Sequence, residues 1–339
     1  MRNSGGTHSP AVRSSSGHTR RRFLSALGVG SIAGVAPASS ALHADDIDQA
    51  TSSARAPEPS VQSEYLLAPG LTYLNTASLG PTSRAVLERT LDTWRELESN
   101  PVQMAYGEGS VQTAADQART LAAGLLRCTA DEILITRSTT DAMNSLAQGI
   151  RLESGDRVLT TDQEHDGGSV GWRYRSRRDG AHIDVVPIAP TDHDPGAILQ
   201  RFADAITPKT RVISVSHVIT STGLRMPIAE IARLAKSRGV FCIVDGAQAV
   251  GQIDVDVRAL GCDAYATAGH KWLMGPKGTG ILYVSREAAG IEPIQWADGR
   301  TFIAHSTGVG SQPLAAGLAL AIETLRGRGL PAIERHNQA

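Results

Sequence analysis

Aromatic residues are scarce in this 339-residue chain, at 4%, which argues against a stacking platform for single-stranded nucleic acid. Cysteine is scarcer: Cys128, Cys242 and Cys262 are the whole supply. Three cannot all pair, and none stands in a CxxC spacing, so neither a disulfide scaffold nor a zinc site is encoded. An excess of either charge is also missing, since 33 Lys+Arg against 34 Asp+Glu leave a net −1. Nothing in that balance attracts nucleic acid or an anionic membrane. Lysine is rare as well, at positions 209, 236, 271 and 277 only. Because a lysine amine is the group that forms a Schiff base with a carbonyl compound, such chemistry has few candidates here. What remains is ordinary globular material: 41% hydrophobic and 20% charged residues exclude wholesale disorder, and the length suggests about two domains.

The first 44 residues carry five arginines and no acid, which leaves the rest of the chain acidic. Thr19-Arg20-Arg21-Arg22-Phe23-Leu24-Ser25 precedes a mild apolar stretch from Leu24 to Ala36. That stretch is shorter than the roughly 20 residues needed to span a bilayer. A basic start, a short apolar core and small residues such as Ala36-Pro37-Ala38 read as a signal peptide over 1–44, the alternative being a disordered Ser/Arg-rich tail. The paired arginines resemble a twin-arginine export signal, which implies a periplasmic destination. Residues 45–63, rich in Ala, Ser and Pro, read as a linker, and the folded domain occupies 64–339.

From there helical and strand patterns alternate. Apolar spacing predicts helices over Ser83 to Glu98, Val111 to Arg127, Thr139 to Ile150 and Ile228 to Arg238, the last stopped by Gly239. Strands are predicted at Glu132 to Thr136, Arg157 to Thr160, Ile183 to Val186, Arg211 to Val215, Val240 to Val244, Ala264 to Thr267 and Gly280 to Val284. The run Val240-Phe241-Cys242-Ile243-Val244 suits a strand covered on both faces. The alternation implies an α/β fold with a mainly parallel sheet and helices on both faces. Ligands in such sheets sit beyond the carboxyl ends of the strands, so the polar residues there are the candidates for function.

Asp245 follows the apolar run; a carboxylate there needs a cation. It is either a turn former beside Gly246 or the partner of a protonated heteroaromatic nitrogen, with Gln248 near the same ligand. Lys271, in Ala268-Gly269-His270-Lys271-Trp272, stands at a strand end; it is either an ordinary exposed lysine or the amine of an imine with an aldehyde. Lys277, in Gly275-Pro276-Lys277-Gly278, competes for that role, whereas Lys209 and Lys236 suit an exposed surface. Thr139-Thr140 opens a helix and reads as an anion site or as an ordinary N-cap. His165, in Glu164-His165-Asp166-Gly167-Gly168, is a surface histidine or a cover for a planar ring.

Taken in this order, the set resembles the pyridoxal-phosphate (PLP) enzymes of the class V aminotransferase superfamily, which includes cysteine desulfurases and isopenicillin N epimerase. The resemblance runs from about Tyr73 to about residue 325, and is most specific at Asp245-Gly246-Ala247-Gln248, at His270-Lys271 and at Gly275-Pro276-Lys277-Gly278-Thr279-Gly280. It implies the large domain of PLP fold type I and pyridoxal 5′-phosphate as cofactor. It implies Lys271 as the catalytic Schiff-base lysine, Asp245 on the pyridine nitrogen, Gln248 on the ring hydroxyl and His165 stacked on the ring. Thr139, Thr140 and His270 would hold the phosphate, with Ser311 of Gly310-Ser311-Gln312 reaching it from a second subunit of a homodimer. An amino acid is the implied substrate, and neither a metal, nucleic acid nor a stable membrane span is expected.

The sequence also departs from that pattern. No cysteine follows Lys271, Thr220 stands where desulfurases carry Asn, and Ala268 stands where they often carry a phosphate-binding Ser. These departures favour an isopenicillin N epimerase-like reaction at the α-carbon over a cysteine desulfurase/selenocysteine lyase-like or aminotransferase reaction. Only 68 residues follow Lys271, so the C-terminal small domain is expected to be largely missing. The arginine for the substrate carboxylate then has no motif to mark it among Arg300, Arg326, Arg328 and Arg335. A shortened cofactor-binding protein without turnover is the reading from the other class. Apolar residues in Leu314 to Leu325 are expected to have lost the domain they would cover, favouring dimerisation or poor solubility.

Overall fold

The computed structural model describes residues 61–106, 113–291 and 311–338. The signal segment, nearly all of the linker and Arg300 lie outside them. Among the described residues no helix is long and apolar enough to cross a membrane.

The elements run α1 (Arg84–Ser99), α2 (Pro101–Tyr106), α3 (Thr113–Leu126), β1 (Ile133–Thr136), α4 (Thr139–Gly149), β2 (Arg157–Thr161), α5 (Asp166–Asp179), β3 (His182–Val186), α6 (Pro195–Ala205), β4 (Thr210–Ser216), α7 (Ile228–Ser237), β5 (Phe241–Asp245), α8 (Val257–Leu260), β6 (Ala264–Ala268), β7 (Gly280–Val284), α9 (Gln312–Arg328) and α10 (Leu330–Gln338). Seven strands form one sheet in the order β1-β7-β6-β5-β4-β2-β3. β7 alone runs against both of its neighbours; the pairs among β3, β2, β4, β5 and β6 are parallel. The sheet is therefore mainly parallel, as the alternating sequence implies.

Side-chain alternation along the strands divides the core in two. Val158, Val212, Ile243, Ala264, Ala266 and Leu282 pack with Met143 and Leu146 of α4 and Trp172 of α5. Leu159, Ile213, Val215, Cys242, Val244 and Tyr265 pack instead with residues of α3, α6, α7 and α9. Burying each large side chain contributes about 1.5–3 kcal/mol. The one polar atom of Trp172 is satisfied inside, where its indole N–H donates to Ser214 Oγ at 2.9 Å.

The predicted helices and strands are present with ends shifted by a residue or so; one consequence is that Asp245 closes β5 rather than following it. α6 was not marked in the sequence, although Asp194 caps it and Pro195 opens it, a start signal of the ordinary kind. The expectation for Leu314 to Leu325 is corrected. α9 packs against α1 and α3, with Ala315 and Ala319 set against Ala115 and Ala118, and Leu318 and Ile322 are fully buried. Small residues on both helices let their backbones approach, so the apolar stripe already has its cover within the chain.

Gly246, just past β5, has no room for a side chain, because a Cβ there would run into the Tyr265 ring. That ring is fully buried and hydrogen-bonded through its hydroxyl to His217 Nδ1 at 2.8 Å, so it cannot swing aside. Gly246→Ala is expected to destabilise the protein by about 2–3 kcal/mol; urea unfolding measures it, and an unchanged midpoint would refute the packing argument.

Candidate active site

The ends of β4, β5 and β6 and the starts of α4 and α5 surround a cavity of about 370 Å³, within the usual size range of small-ligand sites. Of the residues singled out in the sequence, Thr139, Thr140, His165, Asp245, Gln248, His270 and Lys271 all line it. Ser311 does not; it is exposed at the start of α9. Arg326, Arg328 and Arg335 do not line it either, and Arg328 is paired with Glu64.

Each group has a local reason for its place. Ser138 caps α4 by accepting the Asp141 N–H at 3.0 Å, which leaves Thr139 and Thr140 on the first turn, where helix N–H groups lack intrahelical partners. Thr139 Oγ1 is buried and has no hydrogen-bond partner, which is costly unless a ligand supplies one. His165 caps α5, its Nδ1 accepting the Gly167 N–H at 3.0 Å. The two glycines that follow allow α5 to dock closely. A Cβ on Gly167 would strike Thr140 Oγ1, and one on Gly168 would lie 2.6 Å from Asp245 Oδ2.

Asp245 is only 6% exposed. Burial pushes its carboxyl pKa upward, against the Ala247 N–H and the nearby charges of Lys271 and His165, which favour the ionised form. Burial likewise lowers the Lys271 pKa, while Asp245 opposes that shift; a depressed amine is more often the free base and nucleophile. His270 donates from Nδ1 to Thr279 O at 2.9 Å. Its Nε2 therefore offers a lone pair when the ring is neutral and a donor only when the ring is protonated. Burial, chiefly, lowers its pKa, and an anion beside it would reverse that bias.

Gln248 is oriented on both sides: Trp272 Nε1 donates to its Oε1 at 2.6 Å, and its Nε2 donates to Ala77 O at 3.1 Å. Its Nε2 also makes a long contact to Thr220 Oγ1 at 3.5 Å, on the wall of the cavity. Lys277 is committed elsewhere, donating to Gly80 O at 2.6 Å and Thr82 Oγ1 at 2.8 Å. Together with the Gly80 N–H bond to His270 O at 2.8 Å, it holds the strap from Asn75 to Thr82 across Lys271. A Cβ on Gly80 would collide with Lys271 O. Of the two competing lysines, Lys271 lines the cavity and Lys277 staples its rim.

Sequence reasoning missed several lining residues: Ser138, Ser216, and Asn75, Ala77 and Ser78 of the strap. The Gly-Gly pair after Asp166 was a usable signal, because consecutive glycines opening a helix carry a propensity cost that a close approach explains. Nothing local marked Ser216, which reads as the end of a buried strand.

A buried carboxylate, a lysine with a depressed pKa, a histidine and a hydroxyl-lined helix start thus share one cavity. Residues 72–338 match the aminotransferase class-V family, and the chain belongs to it. A probable cysteine desulfurase of Methanothermobacter thermautotrophicus is 35% identical over 231 residues, covering 67% of this chain and 56% of that protein. The isopenicillin N epimerase of Streptomyces clavuligerus is 34% identical over 235 residues, covering 68% and 58%. Among solved structures, a cystine C–S lyase in complex with its reaction product cysteine persulfide aligns with TM-score 0.68 and 29% identity over 77% of this chain and 73% of that one. The chain spans a little over half the length of the curated relatives it matches.

The sheet and its flanking helices are consistent with the large domain of PLP fold type I, and the family implies pyridoxal 5′-phosphate. The residues present fit that group. Thr139, whose buried hydroxyl is orphaned, lines the cavity, Gly168 packs closely on Asp245, and lysine and carboxylate suit an aldehyde and a ring nitrogen.

Proposed function

We propose that this protein is a PLP-dependent enzyme that acts at the α-carbon of an amino acid, and that its reaction is of the desulfurase/C–S lyase kind. The observation that carries the cofactor reading is the convergence of Lys271, Asp245, His165, Gln248 and the Thr139 hydroxyl on one cavity. When bound, the group supplies an aldehyde to capture the amine and a cationic ring to withdraw electrons from the α-carbon. Asp245 holds the proton on the ring nitrogen. Thr139, Thr140 and the α4 start bind the phosphate, joined by His270 in its protonated form. Gln248 Nε2 orients the ring hydroxyl and His165 covers the ring face. Lys271 Nζ, as a free amine, takes the proton from the α-carbon.

Likeness to desulfurases and to a C–S lyase supports a sulfur amino acid as substrate. Within this chain no cysteine is placed to keep the sulfur. Burial pushes the Cys128 thiol up to about 12 and raises Cys242 and Cys262 as well, and none of the three lines the cavity. Epimerisation is the second reading, supported by the 34% identity to an isopenicillin N epimerase. The Arg20-Arg21-Arg22 segment supports twin-arginine export to the periplasm, and the exposed Ser311 supports a homodimer in which it serves the neighbouring site. Incubating the cofactor-loaded protein with L-cysteine or L-cystine in D2O separates the readings. Release of sulfide or persulfide supports lyase action, whereas deuterated amino acid of the opposite hand without sulfur release would replace it with epimerisation.

A further inference from the structure

Glu164 is a partly buried carboxyl that the reading above leaves without a task, and its contacts are unusually complete. When ionised, its Oε1 accepts from Thr161 Oγ1 at 2.7 Å and from the Ser216 N–H at 3.2 Å, and its Oε2 accepts from Ser216 Oγ at 2.6 Å; when protonated, Oε2 donates to Ser216 Oγ in place of that last bond. Thr161 ends β2 and Ser216 ends β4, so one side chain ties two strand ends together beneath the cavity. Ser216 is in register with Asp245 on β5, and the next residue after Glu164 is His165, the cap of α5.

We propose that Glu164 is a positioning residue that clamps β2 to β4, fixes the turn presenting His165, and places a second carboxyl behind Asp245 that gives up a proton when the cofactor ring arrives. The inference rests on the cofactor reading above.

The electrostatics follow from the packing. Facing Glu164 are hydroxyls from β2 and β4 and the carboxyl of Asp245 from β5; Lys271 and His165 bear on Asp245 in turn. Burial raises the Glu164 pKa to about 7, against the hydrogen bonds from Ser216 and Thr161, and the Asp245 charge raises it further. The negative charge of Asp245 thus disfavours ionising Glu164 as well. A cationic ring nitrogen against Asp245 cancels the repulsion, and the Glu164 O–H bond then breaks, its proton passing to solvent and its electron pair staying on the carboxylate. Binding that releases a proton strengthens as pH rises.

The test is the affinity of the full-length chain for pyridoxal 5′-phosphate, titrated from acid to mildly alkaline pH, for the parent and for Glu164→Gln. The ratio of parent to variant affinity is expected to grow with pH by up to about tenfold per unit below pH 7, and to level off above it. Calorimetry in buffers of different ionisation enthalpy should show more proton release by the parent. Ser216→Ala removes only the Oε2 bond, and it serves if Glu164→Gln fails to fold; because that bond favours the carboxylate, its loss should move the same pH dependence to higher pH. Parallel pH profiles, or equal proton release, would overturn the role of Glu164 while leaving the cofactor reading intact. Absence of cofactor binding by the parent would instead overturn the reading on which it rests.

Discussion

Lys271→Ala is expected to abolish covalent capture of pyridoxal 5′-phosphate and to lower turnover by at least the 10²–10⁴-fold that a positioned general base contributes. Borohydride reduction of the loaded parent followed by peptide mapping should place the label on Lys271, and the variant should carry none. Two features support Lys271 as the reactive amine. It lines the cavity with Asp245, and burial depresses its pKa. Lys277 shares the depression, but its Nζ is spent on Gly80 O and Thr82 Oγ1. Lys277→Ala should therefore keep the label on Lys271 while loosening the strap, which shows as modestly faster cofactor loss. Label on Lys277 in the parent would refute the assignment. Retention of reversible binding by Lys271→Ala would show that Asp245 and the phosphate-side groups hold the ligand without the covalent link.

The fold and the centre of this site were largely legible in the sequence because both are written locally. Apolar runs of strand length mark β1, β2, β4, β5, β6 and β7, and ligand-facing residues of an open α/β sheet follow strand ends, so Thr139, His165, Asp245 and Lys271 could be located by position. What stayed hidden depends on contacts between distant segments. Glu164 meets Ser216 across 52 residues, and Lys277 meets Gly80 across 197. The fate of α9 was misread for the same reason. Its apolar stripe looks unpartnered until α1 and α3, two hundred residues earlier, are folded against it. Likewise the buried His217–Tyr265 pair under the Gly246 turn has no signature in either segment alone. Burial holds His217 down to about 3, so it stays neutral and acts as a wedge rather than a proton carrier.

Asp245→Asn is expected to act in opposite directions on the empty and the loaded protein. In the loaded protein the carboxylate pairs with a buried cationic ring nitrogen, and removing one partner of such a pair costs about 3 kcal/mol or more. Cofactor affinity should fall on the order of a hundredfold, with α-proton exchange slowed further because the ring loses the group that keeps its nitrogen protonated. In the empty protein the same carboxyl is a burden. Burial, chiefly, raises its folded pKa above the ordinary value of 3.8, so the folded chain binds the proton more tightly than the unfolded chain does. The cost is absent below the unfolded value, grows as pH rises through the window up to the folded value, and is complete above it. Asparagine keeps an oxygen for the Ala247 N–H, which Asp245 Oδ1 accepts at 3.0 Å, and carries no charge to desolvate. Cofactor-free Asp245→Asn should thus match the parent in thermal stability at acid pH and exceed it above neutrality, whereas saturating cofactor should reverse the order. Thermal melts of both proteins, with and without cofactor at pH 4 and pH 8, read all four cases. A variant that is less stable than the parent when both are empty at pH 8 would show that Lys271 and the surrounding dipoles already compensate the buried charge. Asp245 would then be a structural ion-pair partner rather than a carboxylate held in readiness for the ring.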